Sequence, residues 1–402
     1  MKQVPDITTE VRRLDPALPL WLGVGGASAA VGIAGSVALA ATREHGWGRL
    51  LETYLVSFAL FLALTLGALF FVMLQHITRA GWSVVVRRIA EAIACNTWLM
   101  AVLAIPVVLG MHHLYHWSHL EEAAHDPVLS GKMGFLSPTF FTIRLVIYFV
   151  VWGALAWFFH RTSTRQDASF DPKATLRMER AAGPGLVAFA LSANFAAFDL
   201  LMSLDPHWFS TIYGVYYFAV SLVTFFAVMP AILVMLQSKG VLARAVTVEH
   251  FHDLGKMLFA FNVFWAYIAF SQYMLIWYGN IPEETQWFLK RQTGDWAWVS
   301  LALLVGHFIV PFLLLVSRAI KRRPRLLAIT GGYMVLMCWL DLYWLVTPEF
   351  SRGEARFGLI DVFCFLGVAG VYMLALVPRL ARHSLLAEGD PRLAESLAFH
   401  TA

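Results

Sequence analysis

A chain of 402 residues that is 59% hydrophobic and only 14% charged does not have the make-up of a soluble domain, in which about 25% of residues are charged. Its mean hydropathy of +0.65 is that of a polytopic membrane protein. The net charge of +4 is spread over the loops between apolar runs and forms no patch, which excludes nucleic acid as a partner.

In chain order, residues 1–19 read as a polar, Pro-containing arm outside the membrane. Residues 20–41 form the first span. Gly32, Ser36 and Ala40 recur there at four-residue spacing, which lets a neighbouring helix approach closely. Ala38-Leu39-Ala40 has the look of a cleavage site, but the apolar run is long for a signal peptide, so an uncleaved span is expected. Further runs lie at about 53–78, 91–111, 138–160, 184–204, 211–237, 252–278, 295–318, 326–346 and 357–380. Each has the ~20 residues needed to cross a hydrocarbon core of ~30 Å. The expectation is an all-α integral membrane protein of ten spans, closed by an extramembrane tail over 381–402.

Between the fifth and sixth runs the polar break is very short: Asp205, Pro206, His207 and Trp208. Pro206 lacks an N–H and disfavours helix at Asp205, so the fifth helix is predicted to stop there. Ser210 or Thr211 is then the expected N-cap of the sixth. Trp208, Tyr213, Tyr216 and Tyr217 are ring types that gather at a membrane–water interface.

Lys and Arg set the orientation. With the N-terminus in the cytoplasm, 21 of the 30 basic residues fall in inner segments and 7 in outer loops, while Arg144 and Lys256 lie within spans. This positive-inside bias puts both termini in the cytoplasm and the break at 205–208 on the outer face. The strings Phe71-Val72-Met73-Leu74-Gln75 and Leu233-Val234-Met235-Leu236-Gln237 end the second and sixth runs, 162 residues apart. The repeat predicts two four-helix bundles of one orientation, spans 2–5 over 53–204 and spans 6–9 over 211–346. Spans 1 (20–41) and 10 (357–380) then lie outside them.

Ionisable side chains within the spans are costly in lipid and ask for a partner or a function. Arg144, Asp199, Asp341 and Asp361 lie in the outer half, and His307 near the middle of span 8. Gln75, His76, Glu91, Asn96, His252, Asp253 and Lys256 lie in the inner half. One reading makes His76, His252, Asp253, Lys256, His307, Asp199, Asp341 and Asp361 members of a proton pathway, because acid and His chains form such relays. The other is structural: Arg144 bridges Asp199, Asp253 and Lys256 neutralise each other on one helix face, and the inner groups are wetted helix ends.

The outer loop MHHLYHWSHLEEAAHD puts His112, His116 and His119 at i, i+4 and i+7, with Glu121, Glu122 and His125 following. On a helix these three share a face, which reads as a metal site, a proton-collecting surface or a docking loop. No second ligand cluster accompanies them, so no metal is assigned. Cys95, Cys338 and Cys364 are isolated in apolar segments without CxxC or CxxCH, and His76, His112 or His113, and His307 differ in depth. Disulfide, iron–sulfur and haem ligation therefore find no motif, and no cofactor is expected in this chain.

The string AFDLLMSLDPHWFSTIYGVYYF, followed by HFHDLGKMLFAFNVFWAYIAFSQYMLIWYGNIPEET, resembles the NrfD-like membrane subunits of bacterial respiratory complexes. Within them it is most similar to the ActF subunit of alternative complex III, a quinol:cytochrome c oxidoreductase. The matching motifs run from about Asn194 to Glu284, and the ten-span layout extends the likeness over nearly the whole chain. The resemblance implies NrfD-type bundles in the bacterial cytoplasmic membrane. It also implies a second, larger NrfD-like subunit with the quinol or menaquinol site, and multihaem cytochrome c, iron–sulfur and small membrane subunits as partners. The chain itself would scaffold the complex among membrane lipids and contribute to a proton pathway, with no redox centre of its own. If it instead binds quinol, as the anchor of a molybdenum- or sulfur-type reductase would, Arg144, Asp199 and His307 are the candidates. Such a site needs a proton acceptor beside an apolar slot. A secondary transporter is the remaining alternative, but the repeat is parallel and no span is broken by paired Gly and Pro.

Overall fold

The computed structural model describes residues 7, 9–15, 18–351 and 353–400, with every side chain among them except that of Glu122. The arm predicted over 1–19 therefore lies partly outside the described residues. Ten helices are long and apolar enough to cross a membrane: Leu18–Thr42, Gly46–Ile77, Val84–Leu109, Pro138–Ser169, Pro172–Leu204, Tyr213–Gln237, Val248–Gly279, Asp295–Val316, Pro324–Glu349 and Leu359–Arg382. They are spans 1 to 10 below. No strand forms among the described residues, and one parallel bridge joins Val11 to Val241. The chain is an all-helical, multi-pass membrane protein.

Number and order of the spans agree with the apolar runs; several boundaries do not. Span 3 begins at Val84 and not near 91, which brings Arg87 and Arg88 into the helix, each 1% exposed. Spans 4 and 5 continue as helix through residues 161–169 and 172–183, expected to be loop. Span 6 starts at Tyr213 without a side-chain cap, so neither Ser210 nor Thr211 plays that part. Packing of Trp208 against Tyr213 secures this entry instead.

Two spans are not regular helices. Span 3 is interrupted at Cys95–Asn96 and at Ala104. The first break lets the Asn96 amide donate to the Tyr372 carbonyl of span 10 at 3.3 Å. Span 8 widens to π-helix over Leu303–Ile309, just before Pro311. Pro311 has no N–H to give, and a local shift of the hydrogen-bond ladder accommodates the gap. Scanning for paired Gly and Pro overlooked both.

Spans 2 and 6 form the buried axis of the molecule and pack on each other. Spans 3, 5, 9, 10 and 1 also touch span 2, while spans 7, 9 and 5 touch span 6. Glycines set the closest approaches. A side chain on Gly67 of span 2 would strike the Ser221 carbonyl of span 6, and one on Gly331 of span 9 would strike that of Ala227. The small-residue stripe of span 1 finds its neighbour in span 10: Gly25, Ala29, Gly32, Ser36 and Ala40 are buried, with Gly367 and Gly370 facing them. Ser28 seals the pair by donating to the Leu366 carbonyl at 2.8 Å. Gly32→Val forces these backbones apart and is expected to cost about 1–3 kcal/mol, seen as a lower unfolding temperature in detergent. Gly23→Val, where nothing lies within 4 Å, serves as the silent control.

Both ends of the bundle are closed by chain. On the face that carries the termini, residues 383–399 fold back over spans 2–5. Asp390 accepts from Arg87 at 2.5 Å, Ser396 Oγ donates to the Trp82 carbonyl at 2.7 Å, and Arg392 pairs with Glu179. On the opposite face the turn at 205–208 is a hub. Trp208 stacks on Trp287 of the short helix Pro282–Gln292 at 4.5 Å and donates to the Glu284 carbonyl. Lys132 donates to the Pro206 carbonyl at 2.7 Å, and His207 meets Asp126 at 2.7 Å. That bond, with the Leu129 amide, holds the Asp126 carboxyl down at about 2.

Candidate functional site

The richest polar centre lies inside the second half of the chain, where spans 6, 7, 8 and 9 meet. Asp341 on span 9 is fully buried. Tyr216 of span 6 donates to its Oδ1 at 2.5 Å, and Trp265 Nε1 of span 7 donates to Oδ2 at 2.9 Å. The indole of Trp265 also lies on the ring of His307, centroids 3.8 Å apart. His307 sits in the π-helical part of span 8, fully buried, with Nε2 3.7 Å from Cys338 Sγ and Nδ1 without a hydrogen-bond partner among the described residues. Asp341 and His307, both proton-pathway candidates from the sequence, are thus bridged by Trp265.

Two features extend this centre. Asn262 lies one turn along span 7 from Trp265, towards the terminal face, and both polar atoms of its buried amide lack a hydrogen-bond partner among the described residues. A buried amide left so costs about 1–3 kcal/mol, so the site suits water or a transient proton carrier. On the other side, Tyr216 and Trp265 form the floor of a cleft of about 360 Å³. Phe270, Tyr273, Phe308 and Trp344 give it an aromatic, mostly apolar wall. Its size and lining suit a flat ring or an acyl chain.

The other predicted residues fall elsewhere. Asp199 on span 5 takes a two-pronged bond from Arg144 of span 4, Nε to Oδ2 at 2.9 Å and Nη2 to Oδ1 at 2.7 Å. Tyr148 adds a third donor at 2.8 Å. Both oxygens of Asp199 thus accept from protein donors, three in all, and Arg144 is covered by Phe135 and Phe140 at 3.8 and 4.4 Å. Asp361, three residues into span 10, accepts from Arg49 at 2.7 Å, Thr53 at 2.8 Å and the Gly358 amide. Lys256 and Asp253 pair at 2.5 Å on span 7, with His252 beside them.

The inner groups of the first half are not wetted helix ends. His76, Glu91 and Asn96 are at most 1% exposed; Asn96 is held by Tyr372 and Arg379 of span 10, and the folded-back tail closes this end of spans 2–5. Glu91 sits between Arg88 at 3.2 Å, Arg87 at 3.5 Å and His160 at 3.7 Å, and Arg88 continues to Asp167 at 2.8 Å. His76 stacks on Phe159, and neither of its ring nitrogens has a hydrogen-bond partner among the described residues. The sequence reading missed Trp265, Asn262, Arg87 and Arg88. A mid-span amide one turn from an indole was the available signal for the first two.

The histidines of the outer loop do not share a helix face. The helix Met111–Leu114 ends at Tyr115, which is extended, and His116 opens a separate 3₁₀ turn. His119 and His125 bond to backbone carbonyls at 2.7 Å each. No group of three or more metal-ligating side chains occurs among the described residues. Comparison with family models gives no match for this chain, and comparison with curated proteins gives none either.

Proposed function

We propose that this chain is an integral membrane subunit of a quinol:cytochrome c oxidoreductase of the alternative complex III type. It scaffolds the complex in the bacterial cytoplasmic membrane and carries a proton route through spans 6–9. The family resemblance from Asn194 to Glu284 supports the assignment to such a complex. The observation that carries the proton role is the buried Asp341–Tyr216–Trp265–His307 centre. It has unbonded polar atoms on His307 and Asn262, and the cleft opens beside it. In contrast, the carboxylates of Asp199 and Asp361 are held in charge-assisted hydrogen bonds and serve as structural anchors. Positive-inside counting supports cytoplasmic termini. The partners are a second NrfD-like subunit, a multihaem cytochrome c, an iron–sulfur protein and small membrane subunits.

The complex purified from membranes is expected to carry c-type haem absorbance, and Asp341→Asn to assemble normally but translocate fewer protons per electron in liposomes. Absence of cytochrome partners would sink the assignment to the complex. Unchanged proton stoichiometry would remove the proton role. The cleft favours a second reading in which a quinol ring lies against Tyr216 and Trp265. A photoreactive quinone that labels spans 7 or 8 in the intact complex would favour it.

A further inference from the structure

A second cavity, of about 500 Å³, opens at the terminal face between spans 3, 4 and 10. Its wall carries Arg161, Arg165, Arg379 and Arg382 together with His160 and His383. No lining residue is acidic among the described residues. The nearby carboxylates are held mainly by other arginines: Glu91 by Arg87 and Arg88, with His160 at 3.7 Å, and Asp167 by Arg88. Arg161, Arg165 and Arg382 are exposed and pair with no carboxylate among the described residues. Burial, and after it the neighbouring His160, Arg382 and Arg88, push His383 below the usual imidazole value.

The surroundings narrow the anion. Trp98 and Trp157 line the same cavity on its membrane side, and Arg161 lies 4.7 Å over the Trp157 ring. From Trp98 an exposed apolar stripe, Val102, Ile105 and Leu109, runs along span 3 away from the cations. These positions, i, i+4, i+7 and i+11, continue along span 3 across its break at Ala104, and all four are exposed. A cationic pocket at the end of a span, flanked by interfacial tryptophans and continued by an apolar track, matches a phosphate head group with its acyl chain.

We infer that the pocket between spans 3, 4 and 10 binds the phosphate of an anionic diacyl phospholipid, with an acyl chain along the Trp98–Leu109 face. The four arginines supply forked donors to the phosphate oxygens, for which guanidinium geometry is well matched. The adjoining groove shares Trp157, Arg161 and Arg165, so the two grooves flank one arginine ridge.

The test uses the full chain with the subunits that accompany it, titrated with phosphatidylglycerol or phosphatidylcholine and read by native mass spectrometry. Wild type is expected to retain phosphatidylglycerol in preference to phosphatidylcholine. Arg161→Gln/Arg165→Gln/Arg382→Gln is expected to weaken phosphatidylglycerol binding about tenfold or more. A control with the same charge loss on the same face, Arg180→Gln/Lys239→Gln/Arg325→Gln, should bind as wild type; these three are exposed away from the cavity. Should the first triple variant fold poorly, Arg161→Gln and Arg382→Gln singly should each weaken binding about two- to fivefold. Wild-type binding by the pocket variants, or an equal loss in the control, would overturn the assignment. Displacement of the lipid by millimolar inorganic phosphate would overturn the lipid in favour of a free anion.

Discussion

Asp199→Asn should lower the stability of the folded chain by about 3–5 kcal/mol, the cost of removing one partner from a buried ion pair. Arg144 then keeps its charge inside the membrane with the Phe135 carbonyl, at 2.8 Å, a single neutral amide oxygen and two aromatic faces around it. Asparagine cannot accept both prongs of the guanidinium and the Tyr148 hydroxyl as a carboxylate does. Arg144→Met alone should be as damaging, because it strands the carboxylate. The double variant Arg144→Met/Asp199→Leu, by contrast, should recover most of the loss, since an apolar pair of similar volume avoids the desolvation of both ions. Unfolding midpoints in mixed detergent micelles separate these outcomes. Wild-type stability of Asp199→Asn would contradict the structural role assigned here and return Asp199 to the proton-pathway candidates.

Arg291→Met is the second large effect, again about 3–5 kcal/mol. The guanidinium of Arg291 is fully buried beneath the short helix Pro282–Gln292. It donates to the carbonyls of Trp287, Trp344 and Leu345 at 2.9–3.1 Å and to Glu349 at 2.9 Å, with its plane 3.5 Å from the Trp287 ring. Burial lowers its pKa, but Glu349 offsets part of that cost. Methionine leaves three carbonyls and a carboxylate without this donor. Arg291→Lys should recover less than half of the loss, because an ammonium cannot reach all four acceptors with a fixed fork. Lys290 beside it contacts Asp205 and Glu349 at 2.9 Å each. Burial opposes the charge on Lys290, yet these two carboxylates outweigh it and raise its pKa. Limited proteolysis after residue 280 reads the loosening directly, and an undisturbed cleavage pattern in Arg291→Met would refute this account.

Hydropathy is a property of single residues, and it located the spans well because each one is a continuous apolar run. It also made the Gly32–Ala40 stripe legible, since small size at four-residue spacing is itself the packing signal. The Arg144–Asp199 and Asp253–Lys256 pairs could be proposed because each joins opposite charges at matching depth. What stayed hidden depends on partners remote in sequence. Arg87 and Arg88 looked like loop residues because nothing local says that Asp390 and Asp167 neutralise them. His76 looked wetted because the tail that closes this end of spans 2–5 lies some three hundred residues away. Trp265 was one aromatic among many, and only the approach of spans 8 and 9 turned it into the link between His307 and Asp341. The π-helical turn at His307 follows from Pro311, a residue whose local effect could have been anticipated.

The meeting of spans 1 and 10 has a consequence for biogenesis. Arg49 waits for an acid 312 residues downstream and Arg87 for one 303 residues downstream. At a synthesis rate of roughly 5–20 residues per second, that interval is about 15–60 s. During it, span 1 stands beside span 2 with Gly25, Ala29 and Gly32 lacking the helix that fills their groove, span 10. The groove on span 1 is therefore lined by lipid until the last span arrives. Ribosome stalling before residue 361 should leave span 1 open to cross-linking, and release beyond residue 390 should close it.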